Sequence, residues 1–293
     1  MEMRRLGPFD VYPIGLGAMP FSMGENEKPS EEQAVATVHA ALDSGVTYID
    51  SADIYAPTWD LMGHNERIVA RALASYGSRV DHVIVGTKGG ITRGPGESGG
   101  RDGSMNYLRR AVEASLRALN RDHIDLYQWH RPDRSMVYGD VVANFKTLQE
   151  EGKIRAVGIS NANVEEIDVA VEVLGPDGLA SVQNEFSPRF RCSHDELDHC
   201  VGLGIAFLPW SPLGGTGKQA KSVGERYTVF RQVGDELGVS PQQVVLAWQL
   251  SLGPNVIPIP GASRPESIKD SAKAASLALD GKHLDQIRAA LED

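Results

Sequence analysis

An aspartate, a tyrosine, a lysine and a histidine stand in this sequence where they can work as a proton-transfer group. Asp50 lies at the end of the apolar run Thr47–Ser51, Lys88 directly follows Val83–Thr87, and His130 closes Ile124–His130. Tyr55 comes just beyond Asp50, in the stretch Asp50-Ser51-Ala52-Asp53-Ile54-Tyr55. Each residue alone has an ordinary explanation. A strand-end histidine is usually hydrogen-bonded, a lysine solvated, an aspartate a turn cap and a tyrosine a packed ring with a wet hydroxyl. The combination says more. A phenol with a pKa of about 10 is a poor acid near neutrality unless a neighbouring cation lowers that value. Lys88 is a candidate for that cation, and a lysine taken into a pocket needs the counter-charge that Asp50 supplies. The four therefore read as a proton donor with the groups that tune it.

Such convergence requires adjacent parallel strands. Eight short apolar runs recur along the chain: Ile14–Met19, Thr47–Ser51, Val83–Thr87, Ile124–His130, Ala156–Ser160, Ser181–Asn184, Ala206–Trp210 and Asn255–Ile259. They are rich in Val, Ile and aromatics and bounded by Gly, Pro, Asn or Asp, as buried strands are. Helical patterns lie between them. Ser30 is placed to cap a helix with Gln33 completing a capping box, and Gly45 to stop it. Leu108, Val112, Leu116 and Leu119 form a second stripe, and Ser240-Pro241-Gln242-Gln243 opens a third helix. Alternating strands and helices predict parallel βαβ units, closed as a (β/α)8 TIM barrel or laid out as a doubly wound sheet. Residues 1–13 read as a short N-terminal hairpin, and the Gly-rich stretch Gly89–Gly103 is too short to divide the chain. One domain over residues 1–293 is expected.

Composition narrows the function classes. The chain has 293 residues with 29 Lys+Arg and 39 Asp+Glu, a formal net charge of −10, which disfavours nucleic acid as a partner. No apolar run approaches the ~18 residues of a membrane span, and the N-terminus lacks the apolar segment of a secretory signal. Two cysteines, Cys192 and Cys200, suit a reducing compartment, and a cytoplasmic location is expected. With His194 and His199 they do not have the spacing of a metal site. The glycines near Gly15 do not complete a dinucleotide-binding fingerprint, because Pro20 replaces its third glycine, and those near Gly214 do not complete a phosphate loop, because Pro212 and Gln219 break it.

Seven stretches resemble motifs of the aldo-keto reductase family and occur in family order: YIDSADIY at 48–55, GTKGG at 86–90, YQWHRPD at 127–133, GISN at 158–161, VQNEFS at 182–187, PWSPLGG at 209–215 and IPIPGASRPE at 257–266. The resemblance spans roughly residues 4–275 and implies the barrel. It also implies that Asp50, Tyr55, Lys88 and His130 form a catalytic tetrad for reducing an aldehyde or ketone to an alcohol with NADPH, Tyr55 giving the proton. By the same resemblance, Ser160, Asn161 and Gln183 hold the nicotinamide carboxamide and Trp210 stacks on its ring. Ser211, Leu213 and Gly215 follow the pyrophosphate, while Ser263, Arg264 and Ser267 face the adenosine 2′-phosphate. Family members with Arg or Gln in place of Ser267, and Asn in place of Ser271, depart from this chain.

Substrate choice is expected in the loops over the barrel mouth, with Met19, Phe21 and Trp59 as lining candidates. Trp129 is expected to point away, because strand alternation opposes it to His130. Only residues 280–293 follow the last family-like helix, so an open mouth is expected. Two other functions fit the residues. One is a nicotinamide-binding regulatory subunit with residual reductase activity. The other is a barrel hydrolase using Asp50 and Glu185 as a carboxylate pair.

Overall fold

Residues 2–24, 27–215 and 217–292 are described by a computed structural model of the chain, so the outermost residues of the expected 1–293 domain fall outside it. The chain starts with an antiparallel hairpin, β1 (Arg4–Leu6) and β2 (Phe9–Val11). Alternation then sets in. Strand β3 (Leu16–Gly17) is followed by α1 (Glu31–Asp43), and β4 (Tyr48–Asp50) by α2 (His64–Ser75). Strand β5 (Ile84–Gly89) runs into a second hairpin, β6 (Ile91–Gly94) and β7 (Ser98–Arg101), before α3 (Met105–Leu119). The pairs β8 (Ile124–Trp129) with α4 (Tyr138–Glu150), β9 (Ile154–Ser160) with α5 (Val164–Leu174) and β10 (Leu179–Gln183) with α6 (His194–Leu203) come next. After β11 (Ala206–Phe207) there is a helical insertion: α7 (Lys218–Lys221), α8 (Val223–Arg226), α9 (Thr228–Leu237) and α10 (Pro241–Ser251). Helices α11 (Pro265–Ala272) and α12 (Gly281–Glu292) end the described chain.

Seven strands form one parallel sheet in the order β11-β10-β9-β8-β5-β4-β3. The expected eighth strand closes it without becoming a regular ladder. The Gly15 and Gly17 N–H groups donate to the Pro258 and Pro260 carbonyls at 2.9 and 3.0 Å, and the Ile257 and Ile259 N–H groups to Phe207 and Pro209 at 2.8 and 3.2 Å. Pro258 and Pro260 have no N–H to return toward β3, so alternate rungs are missing. The result is the expected TIM barrel, and helices α1 and α11 pack together to complete the outer ring.

Two apolar layers hold it. Residues such as Val38, Val112, Phe145, Ile167 and Val245 fill the space between strands and helices. Tyr48, Ile84, Leu126, Ala156, Ala180, Ala206, Leu208 and Ile257 fill the barrel interior, with Leu6, Phe9 and Val11 of the first hairpin packed against them. Gly7, at φ +56° in that hairpin's turn, presses on the barrel floor: a Cβ there would lie 2.5 Å from the Ala180 Cβ. The floor is thus plugged, and the cavity opens at the other end.

Local rules explain the helix starts. Ser30 and Ser240 accept from the N–H groups of Gln33 and Gln243. The expected capping box at Ser30 does not form, because the Gln33 side chain donates instead to the Ser263 carbonyl at 2.7 Å. That bond ties α1 to the loop before α11.

Candidate active site

A cavity of about 1030 Å³ opens where the barrel strands end, with Gly17, Asp50, His130, Ser160, Gln183 and Ile259 among its lining. This is where barrel folds place chemistry. Lys88 lies beneath it with 0% of its surface exposed. Its Nζ donates to Asp50 Oδ2 at 2.6 Å and to the Ser51 carbonyl at 2.7 Å. The ammonium also sits 5.3 Å from the centre of the Tyr55 ring. Tyr55 and His130 meet edge to face, their ring centres 5.7 Å apart. The structure therefore brings all four expected residues together.

Asp50 is held more firmly than its position in the sequence indicated. Its Oδ1 accepts from Gln183 Nε2 at 2.8 Å, Tyr48 OH at 3.1 Å and Gln128 Nε2 at 3.2 Å. Tyr48 and Gln128 were missed as site residues, although strand alternation offered a signal. Each stands two residues before a tetrad member, so it faces the same interior. Gln183 lines the cavity as expected, but its amide is also part of the cage around Asp50.

The electrostatics follow from burial opposed by charge. Burial lowers the Lys88 pKa, but Asp50 and Tyr55 outweigh it and raise the value overall, which keeps the ammonium charged. Burial raises the Tyr55 pKa, and Lys88 pulls it back only in part. The expected net lowering of the phenol is therefore not reached in the protein alone, because desolvation outweighs the single nearby cation. Burial, then Lys88 and Arg131, push His130 well below its ordinary value, so its ring is neutral at physiological pH. His130 Nδ1 is buried without a hydrogen-bond partner.

The expected cofactor residues line the same cavity: Ser160, Asn161, Gln183, Trp210, Ser211, Leu213, Gly215, Ser263, Arg264 and Ser267. Ser160 Oγ donates to the Gln183 carbonyl at 2.6 Å, and Asn161 Nδ2 to the His130 carbonyl at 3.0 Å. These bonds couple the ends of three strands. Ser211, Gly214 and Gly215 have φ of +49°, +76° and +136°, a run of left-handed backbone beside the cavity. Gly17 is required by space: a Cβ there would lie 2.8 Å from the Ile259 carbonyl. At the far end Arg264 caps α11 and Pro265 opens the helix, and with Arg264 and Ser267 in the lining the positive end of that helix lies at the cavity.

Other expectations separate. Met19 lines the cavity, together with Pro20 and Met23. Phe21 does not, because it ends the short 3-10 turn Met19–Phe21 with its ring buried in the core. Trp59 lies on the exposed side of its loop, away from that lining. Trp129 points away from the cavity and packs on Tyr138, 4.7 Å between ring centres. Glu185 lines a second cavity of about 360 Å³ beyond Trp210, while Asp50 lines the first, so the carboxylate pair of a hydrolase is not assembled. Cys200 is buried, which pushes its thiol up to about 12, and His199 bonds Asp168 at 2.7 Å.

Comparison with known proteins agrees with this geometry. A family model described as the aldo/keto reductase family matches residues 13–292. The chain is 33% identical over 281 residues to an uncharacterised oxidoreductase of Schizosaccharomyces pombe, covering 95% of this chain and 86% of that one. It is 34% identical over 271 residues to the 6-dehydroglucose reductase of Novosphingobium aromaticivorans, covering 90% and 86%. Among solved structures it is similar to a glycerol dehydrogenase from Gluconobacter oxydans, with a TM-score of 0.82, 26% identity and coverage of 99% and 94%. It is also similar to an aldo-keto reductase from Klebsiella pneumoniae solved with NADPH, with a TM-score of 0.79, 28% identity and coverage of 98% and 94%.

Proposed function

This chain belongs to the aldo/keto reductase family, and we propose that it is an NADPH-dependent reductase, one barrel domain that converts an aldehyde or ketone to an alcohol with Tyr55 as the proton donor. The observation that carries this reading is the Lys88 ammonium, wholly buried between Asp50 at 2.6 Å and the Tyr55 ring, with His130 edge-on to that ring at the cavity floor. A structural ion pair does not need a phenol and a neutral imidazole turned toward the same open space.

The nicotinamide ring supplies the hydride when bound. Ser160, Asn161 and Gln183 would hold its carboxamide, and Trp210 its face. Ser211, Leu213 and Gly215 would follow the pyrophosphate. Ser263, Arg264 and Ser267 would meet the 2′-phosphate at the start of α11, where Arg and the helix N-terminus favour an anion. The cavity fits such a ligand in size, in its left-handed backbone and in that cationic end. Neutral His130 donates a hydrogen bond to the carbonyl oxygen. Tyr55 donates the proton as negative charge develops there, and Lys88 stabilises the phenolate left behind. Asp50 keeps Lys88 charged, and the cage of Tyr48, Gln128 and Gln183 keeps Asp50 still. Two free cysteines and a carbonyl substrate fit a cytoplasmic setting.

The test is NADPH oxidation over a panel of aldehydes, ketones and quinones. Polyhydroxylated carbonyls belong in it, because two relatives are named for dehydroglucose and glycerol. Lys88→Met and Tyr55→Phe should each lower kcat by about 10²–10⁴, the range of a positioned proton donor, with NADPH still quenching protein fluorescence. Turnover near wild type in either variant would remove that residue from the mechanism. Tight NADPH retention without turnover on any carbonyl would favour the regulatory subunit. A kcat/KM ratio near unity for NADPH and NADH would overturn the 2′-phosphate assignment.

A further inference from the structure

The β6–β7 hairpin (residues 91–101) sits at the barrel mouth, directly after the strand that carries Lys88. A loop in that place needs only to lead from β5 to α3, yet this one makes directed contacts on two sides. On one side Arg93 Nη1 donates to the Ile54 and Ala56 carbonyls, both at 2.9 Å. These are the carbonyls of the two residues on either side of Tyr55. Glu97 holds the guanidinium in place, its Oε2 accepting from Nε at 3.0 Å and from Nη2 at 2.5 Å. The other carboxylate oxygen of Glu97 accepts from the Trp59 N–H at 2.9 Å, so the same pair also grips the far end of the Tyr55 loop. On the other side Arg101 Nη1 donates to the Pro132 carbonyl at 2.8 Å, two residues beyond His130. Tyr107 of α3 fixes the base of the hairpin by donating to the Ile91 carbonyl at 2.7 Å.

We propose that this hairpin is a brace that sets the spacing of Tyr55 and His130, with Arg93 as the positioning residue for Tyr55 and Arg101 for His130. This rests on the reading of Tyr55 as proton donor and adds to it. Burial alone does not place the phenol: Tyr55 is followed by Ala56 and Pro57 in an irregular loop, where its backbone is tied by its own N–H to the Ala52 carbonyl at 3.2 Å and by the Asn65 N–H of α2 to its carbonyl at 3.1 Å. Arg93 adds to those two bonds a side-chain restraint on the residues before and after Tyr55. Its side chain is only 13% exposed, and its fork geometry serves two carbonyls and a carboxylate at once, which a lysine's single ammonium does not reproduce. A misplacement of about 1 Å at a reacting group is enough to cost on the order of 10²-fold in rate. A strand-connecting loop with no such role would lower stability when altered and leave the chemistry step intact.

The experiment is a double-mutant cycle on kcat. Arg93→Ala is expected to lower kcat by roughly 10–100-fold, with Arg93→Lys recovering only part of the loss, while the Kd for NADPH stays within about threefold of wild type. The basic limb of the kcat–pH profile should move to higher pH, because a displaced phenol loses the pull of Lys88. In the Tyr55→Phe background the same Arg93→Ala change should lower the residual rate by less than about twofold, since the group it positions is gone. Equal fold losses in both backgrounds, or an unmoved basic limb, would overturn the brace and leave a merely structural hairpin. A Tyr55→Phe variant with wild-type turnover would instead overturn the proton-donor reading, a separate result. Should Arg93→Ala fail to fold, Glu97→Ala tests the same grip from its outer end and should show a smaller loss with the same dependence on Tyr55.

Discussion

At the residue scale, the site is built from groups whose charge states are set by what surrounds them. Lys88 stays charged in a fully buried position because Asp50 lies against it, and the Asp50 carboxylate in turn accepts from three neutral donors and the ammonium. Residue types in the sequence pointed to the pair, but not to the cage, which depends on strand register. His130 is the opposite case, a base kept neutral by burial and by the positive charge of Lys88 and Arg131. This has a consequence for stability. Its folded pKa lies below the ordinary value of about 6.5, so between those two values the unfolded chain binds more protons than the folded one. Stability is therefore full above about pH 6.5 and falls as pH drops below it, by up to about 1.4 kcal/mol per pH unit. His130→Gln should lose less stability than wild type between pH 7 and 5, measured as urea midpoints at each pH. Parallel losses in the two proteins would show that other groups carry the acid sensitivity.

At the scale of elements, strand β5 shows how the backbone makes room for the site. It carries Gly86 and Gly89 on either side of Thr87 and Lys88, and both are demanded by neighbouring tyrosines. A Cβ on Gly86 would lie 2.6 Å from the Tyr48 hydroxyl, and one on Gly89 would lie 2.0 Å from the Tyr127 hydroxyl. Glycine here serves close approach between strands. Gly86→Ala should destabilise the protein by about 1–3 kcal/mol, the usual cost of overpacking. It should also lower kcat, because Tyr48 must swing away from Asp50. A melting temperature and a turnover number test both effects, and wild-type values in each would refute the packing argument. The eighth strand makes a related point. Its apolar run was legible in the sequence, but Pro258 and Pro260 thin its ladder, and only the alternate bonds from Gly15, Gly17, Ile257 and Ile259 show that the barrel closes.

At the scale of the whole molecule the net charge is −10, while the mouth cavity is lined by more basic than acidic side chains: Lys28, Arg131, Lys218, Lys221 and Arg264 against Glu27, Asp50 and Asp270. An anionic ligand is thus drawn to one basic region of an acidic protein, and salt screens that attraction. Raising NaCl should weaken NADPH binding more than NADH binding, because the extra phosphate carries the extra charge. Equal salt slopes from fluorescence titrations would contradict the proposed role of Arg264 toward the 2′-phosphate. The last helix sharpens the expectation of an open mouth. Helix α12 packs against α9, buries Ile287 and Leu291, and is tied by Lys282 to Glu236 at 3.2 Å; none of its residues lines the cavity. Ending the chain before Gly281 should lower the melting temperature and leave the ranking of substrates unchanged. Among the described residues, no helix is long and apolar enough to cross a membrane.

The sequence by itself determined the alternation of strands and helices, the strand-end placement of Asp50, Lys88 and His130, and the family motifs that bind them into one reading. Those are local properties: apolar period, caps, and polar residues where a strand runs out. Tertiary structure decided what depends on residues distant in sequence meeting through space. It set the cage that Tyr48, Gln128 and Gln183 build around Asp50, and the burial that keeps the Tyr55 pKa high despite Lys88. It kept Phe21 and Trp59 out of the cavity. It also turned the Gly-rich stretch after β5, which reads as a plain loop, into a hairpin whose Arg93 and Arg101 reach the loops of Tyr55 and His130. The physical reason is the same in each case. A side chain's direction and desolvation are set by the packing of its neighbours, and one-dimensional spacing carries no measure of either.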